Sequence, residues 1–106
     1  MALVSKTAGS KPGAATLTDI YTVPASTNFT GRVMAANQSA VATTIRISIA
    51  PAGAADTASQ YIAYDLPIVA NDVYESPTFA VTATDVVRVY NTLATVSFNL
   101  TGLEKT

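Results

Sequence analysis

The side chains that most often do chemistry are scarce here: the 106 residues include no histidine and no cysteine. The commonest general base and the most reactive nucleophile are therefore both missing. Seven carboxylates remain, at Asp19, Asp56, Asp65, Asp72, Glu75, Asp85 and Glu104. Glycosidase chemistry needs two carboxyl groups facing one another at a set separation. Most of these seven fall instead at turn signals or strand ends, where Asp ordinarily caps its own backbone. Asn71, Asp72 and Glu75 lie close together, but a calcium loop needs a denser cluster of oxygen ligands. The five glycines, at positions 9, 13, 31, 53 and 102, are too scattered to form a phosphate-cradling loop. A non-enzymatic protein is expected, with no metal and no cofactor.

Residues suited to binding are easier to find. Arg32, Arg46 and Arg88 are the only basic residues inside strand-like segments. They either pair with Asp65 or Glu75 on a wet face or fork onto carboxylates of a neighbouring subunit, a geometry that suits Arg better than Lys. Tyr61, Tyr64, Tyr74 and Tyr90 serve either as core-edge and interface residues or as a shelf for sugar rings. Leu3 and Val4 are apolar anchors in an otherwise polar start. The candidate interface residues are thus Leu3, Val4, Arg32, Arg46, Arg88, Tyr61, Tyr64 and Tyr74.

Charge narrows the partners. Only 12% of residues are charged, against about 25% in an average domain, and the net charge is −1. A nucleic-acid binder carries a basic stripe that neutralises phosphates, and none is present. No run approaches the roughly 18 apolar residues of a membrane span, and the start lacks the basic and apolar regions of a signal peptide. Neither nucleic acid nor membrane is expected as a partner. The Asn-x-Ser/Thr triplets at Asn28, Asn37 and Asn99 read as chance in a Thr-rich chain. A weakly charged surface of Ala, Thr and Ser is poorly protected against association. Apolar residues reach 49%, yet many are alanine, so the core is modest and gains from oligomerisation.

The elements that must position these side chains are strands. Residues 1–15 are rich in Gly, Ser, Ala, Lys and Pro with no apolar period, and read as a flexible N-terminal arm. Residues 16–106 read as one β domain. Ile45, Ile47 and Ile49 alternate with Thr44, Arg46 and Ser48, which gives one dry face and one wet or interfacial face. In the next strand Tyr61, Ala63 and Asp65 lie opposite Ile62, Tyr64 and Leu66. Pro77 falls inside the run Val73 to Val81, which marks an edge strand or a bulge. Turn signals recur every 8–12 residues or so, typical of a sandwich. The expected fold is all-β: a single antiparallel, jelly-roll-like sandwich of seven or eight strands with little helix.

Several stretches have a family look: Asp19 to Ala25, Tyr61 to Pro67, Val69 to Asp72, Ala83 to Tyr90, and the ending Ser97 to Glu104. Together they resemble small β-rich virion proteins of tailed bacteriophages, over roughly residues 16 to 104. The resemblance implies a virion component assembled in the bacterial host cytoplasm and displayed in many copies. Its partners would be other copies, in a homotrimer, and the major capsid or tail proteins that it decorates or cements. It carries no catalytic residues. The competing expectation is a tail-associated module that binds a receptor or glycan through its tyrosines.

Overall fold

The computed structural model describes residues 3–11 and 17–106, with the side chains of 3–5 and 17–106. Nine strands are present among them: β1 (Leu3–Lys11), β2 (Thr18–Thr22), β3 (Asn28–Asn37), β4 (Thr43–Ala50), β5 (Tyr61–Ile68), β6 (Val73–Glu75), β7 (Phe79–Thr82), β8 (Val86–Asn91) and β9 (Val96–Lys105). Among the described residues the only helical pieces are two short 3-10 turns, Pro51–Gly53 and Ala58–Gln60. One sheet runs β1-β9-β3, with β6 and β7 both on the far side of β3; the other runs β2-β8-β4-β5. Every pairing is antiparallel.

Because β6 and β7 share one position beside β3, the nine strands fill eight places. Four are in each sheet, and from place to place the chain crosses between the sheets at every connection except the β4–β5 hairpin, as in a jelly roll. The expectation of seven or eight strands therefore falls short by the division at Pro77. Proline cannot donate to a ladder, so the run opens at Ser76–Thr78 and resumes one side chain later on the same edge. Ser76 fills the gap: its hydroxyl accepts the Val33 N–H at 2.9 Å, while its own N–H donates to the Val33 carbonyl.

Alternation places the core. Phe29, Val33 and Ala35 of β3 and Val96, Phe98 and Leu100 of β9 face Ile45 and Ile47 of β4 and Val87 and Val89 of β8. Full burial of each larger apolar side chain contributes about 1.5–3 kcal/mol, so this centre carries much of the sandwich's stability. β3 and β9 pair without interruption from Asn37↔Val96 to Asn28↔Lys105. In that ladder Gly31 sits opposite Gly102, and the Phe29 ring packs over both. Ile49 joins the core edge, as the period of two predicts. Ser48, expected on a wet face, is fully buried. The cause is the segment after β4, whose 3-10 turns fold back against β4 and β8.

The first strand departs from the sequence expectation. Residues 1–15 are expected as a flexible arm; of these, Leu3–Lys11 form β1 and pair with β9 of the same chain, from Leu3↔Lys105 to Lys11↔Phe98. Ladder hydrogen bonds to an edge provide the order that its apolar content cannot. The rest of the arm, residues 1–2 and 12–16, lies outside the described residues. Beneath β1, the Tyr21 hydroxyl donates to Glu104 at 2.5 Å and ties β2 of one sheet to β9 of the other. Burial first, then this hydrogen bond and the carboxylate charge, push the Tyr21 hydroxyl well above its ordinary pKa.

Two buried asparagines organise one end of the sandwich. Asn37 donates to the carbonyls of Val41 and Val69 and accepts from Ser39 N–H, joining the loops after β3 and β5. Asn91 donates to Thr43 Oγ1 and the Thr44 carbonyl, and accepts from the N–H groups of Thr95 and Val96. Val41, Val69, Val73 and Leu93 stand exposed around these loops.

Candidate functional site

The carboxylates are dispersed and occupied. Asp72 accepts the N–H of Val73, and Asp56 accepts the Tyr61 hydroxyl, both at 2.8 Å. Asp85 accepts from the N–H of Ala52 and from both the N–H and hydroxyl of Thr82. Burial acts to raise its pKa, but these three donors together outweigh burial and hold the carboxyl below its ordinary value. No group of three or more metal-type ligands converges among the described residues, and no concave pocket opens among them. Asn71 sits in the turn before β6 with a positive φ, while Glu75 turns to Arg32.

All three strand arginines find partners within the chain. Arg32 reaches Glu75 at 3.3 Å, Arg46 reaches Asp65 at 2.7 Å, and Arg88 reaches Asp19 at 3.0 Å. Of the two arrangements expected for the arginines, Arg46 forms the pair with Asp65 within the chain, as a fork through Nε and Nη2 to the two carboxylate oxygens. Arg88 also holds the carbonyls of Ala54 and Gly53, which clamps the loop that buries Ser48. Its guanidinium is thus spent on its own fold. Exposed pairs of this kind add little to stability, because solvent screens them.

The outer face of the β2-β8-β4-β5 sheet gathers the most functional side chains, and β5 is the reason. Strict alternation would put Tyr61 and Tyr64 on opposite faces. In the structure Ile47 pairs with Ala63 and Ile45 with Leu66, so Tyr64 and Asp65 both stand opposite Arg46. This bulge turns at Asp65, whose φ of 50° is left-handed, a conformation Asp tolerates better than most residues. A second shift occurs between Ile47↔Ala63 and Ser48↔Tyr61. The two shifts bring Tyr61, Tyr64 and Asp65 to the face that carries Arg46 and Tyr90.

There the Arg46 guanidinium lies 4.2 Å from the Tyr64 ring centre and 5.0 Å from that of Tyr90. The Tyr61 and Tyr64 rings meet edge to face at 5.0 Å. The hydrogen bond from Arg46, opposed by burial and aided by the arginine charge, holds the Asp65 carboxyl below its ordinary range. Burial and the bond to Asp56 raise the Tyr61 hydroxyl. The result is a row of rings beside one paired charge on the outer face of the sheet.

Tyr74, grouped with these tyrosines in the sequence, belongs elsewhere. It lies opposite Ala35 in the other sheet and packs half-buried on the core edge. Leu3 and Val4 stand exposed on β1, which has β9 on one side and no strand on the other among the described residues. Sequence reasoning missed Asp65 and Asp56 as part of the tyrosine face, and it missed the exposed valines held by Asn37. Nothing in the composition around Asn37 says that its amide is buried. No protein-family model, no curated protein and no solved structure matches this chain.

Proposed function

We propose that the chain is a non-enzymatic structural protein that associates with copies of itself, as a homotrimer, and covers the surface of a larger particle. A tailed-bacteriophage virion, with the major capsid or a tail protein as the underlying partner, is the setting that the sequence resemblance suggests. Assembly in the bacterial host cytoplasm follows from that setting. The fold agrees, since jelly rolls build capsid and lectin domains, although architecture by itself assigns no function.

The observation that carries this reading is β1. It is an edge strand with exposed Leu3 and Val4, held by a ladder to β9 and with no strand on its other side among the described residues. A strand attached in this way can leave its own β9 and complete the same ladder on a neighbour, with no new contact to invent. Passed around a closed ring of three copies, the exchange builds the proposed homotrimer. Many such copies on a lattice gain from effective concentration, so each single contact can be modest.

Light scattering at micromolar concentration tests this. The full chain should have a mass above that of one copy. A variant lacking residues 2–14 should fall to the mass of a monomer while keeping its β-sheet circular dichroism. Equal masses for a folded variant and the full chain would overturn the strand-exchange reading.

A further inference from the structure

We infer that the outer face of the β2-β8-β4-β5 sheet is a saccharide-binding shelf centred on Tyr64, Arg46 and Asp65. This is a recognition function separate from assembly through β1.

Three observations carry it. First, the face is built at a cost in backbone regularity. Two register shifts in one short strand, one with a left-handed Asp65, are what place Tyr61 and Tyr64 beside Arg46 and Tyr90. Such outliers persist where surrounding structure fixes them and often mark binding sites. Second, the aromatic surface stays accessible. Tyr64 is 58% exposed although it touches both Arg46 and Tyr61. Third, the polar groups are incompletely used. Arg46 bonds Asp65 through Nε and Nη2, which leaves Nη1 without a hydrogen-bond partner among the described residues. The Tyr64 and Tyr90 hydroxyls are likewise unpartnered there, and each Asp65 oxygen keeps a spare lone pair.

A pyranose ring fits this chemistry. Its apolar C–H face stacks on a tyrosine, and a vicinal pair of its hydroxyls can donate to Asp65 while accepting from Arg46 Nη1. Ligand charge is not required, because the guanidinium is already neutralised by Asp65. A proline-rich peptide fits less well. It needs parallel rings that form grooves, whereas Tyr61 and Tyr64 cross at 86° on a surface without a cleft. One shelf of this size binds weakly, and many copies on one particle would convert weak binding into firm attachment.

The test uses an array of immobilised neutral and acidic oligosaccharides, probed with the fluorescently labelled full chain. Binding to a set that shares a pyranose with vicinal equatorial hydroxyls is expected. Tyr64→Ala should lower the signal about tenfold, the equivalent of one lost stacking contact. Arg46→Lys keeps the charge but removes the planar fork, and should lose a comparable amount. Val41→Ser, at the far loops, should leave binding unchanged, and circular dichroism confirms that each variant is folded. No binding across the array, or binding that survives Tyr64→Ala and Arg46→Lys in folded protein, would overturn the shelf. Capture of proline-rich peptides in place of sugars would overturn it as well.

Discussion

Gly102→Ala should destabilise the fold by about 3 kcal/mol or more, the largest effect expected from adding a single methyl group to this chain. A Cβ at position 102 would stand 2.2 Å from the Thr30 carbonyl oxygen, 2.6 Å from Gly31 Cα and 2.9 Å from the Phe29 ring. The first two are backbone atoms of a paired strand, so no side-chain rotation relieves the clash. Relief requires β9 to move away from β3, which opens the ladder where Phe29 is fully buried. Gly31→Ala should behave alike, since its Cβ would meet the Thr101 carbonyl oxygen at 2.2 Å. Urea denaturation followed by circular dichroism measures both. Lys105→Ala, on the exposed end of the same strand, should change stability by less than about 0.5 kcal/mol. Gly102→Ala within that same margin would mean that β3 and β9 do not approach as closely as described.

Asn91→Ala should cost about 3 kcal/mol, through polar groups left behind and not through lost volume. The side chain is fully buried, and its Oδ1 accepts from Thr95 and Val96 at 2.6 and 3.0 Å. Its amide group donates to Thr43 and Thr44. Alanine would strand two backbone donors and a carbonyl, and each unsatisfied buried group costs about 1–3 kcal/mol. For a domain of this size the melting temperature should fall by more than about 10 °C. Asn91→Asp separates the two halves of the network. It keeps the acceptor for Thr95 and Val96 but sets an anion against the Thr44 carbonyl, so it too should melt early at neutral pH. A change in melting temperature of a degree or two in Asn91→Ala would show that the β8–β9 turn is held by something else.

Much of the architecture was legible because apolar alternation maps directly onto a half-buried sheet. The alternation of Ile45, Ile47 and Ile49 announces a central strand, and Pro77 announces an edge with a break. Three features were not legible, each for a physical reason. β1 owes its order to backbone pairing, which leaves no hydrophobic period in Leu3–Lys11. The bulge at Asp65 depends on a left-handed residue that the local sequence does not demand, so simple alternation separated Tyr61 from Tyr64. The buried roles of Asn37 and Asn91 were hidden because asparagine at a turn usually faces water. The arginines were found as strand residues, and Asp65 and Glu75 were foreseen as partners. Asp19, the partner of Arg88, lies 69 positions away, and only the β2–β8 pairing brings them together.

Whether β1 crosses between copies can be measured directly, because the natural chain has no cysteine. Ser5 lies opposite Leu103 in the β1–β9 ladder, at a separation a disulfide can span. Two variants, Ser5→Cys and Leu103→Cys, would be purified separately, mixed at micromolar concentration and oxidised gently. Strand exchange predicts a covalent heterodimer as the main non-reduced product, with far less of either homodimer. The contradicting result is a mixture that stays monomeric on the non-reducing gel while a Ser5→Cys/Leu103→Cys double variant closes its disulfide entirely within one chain.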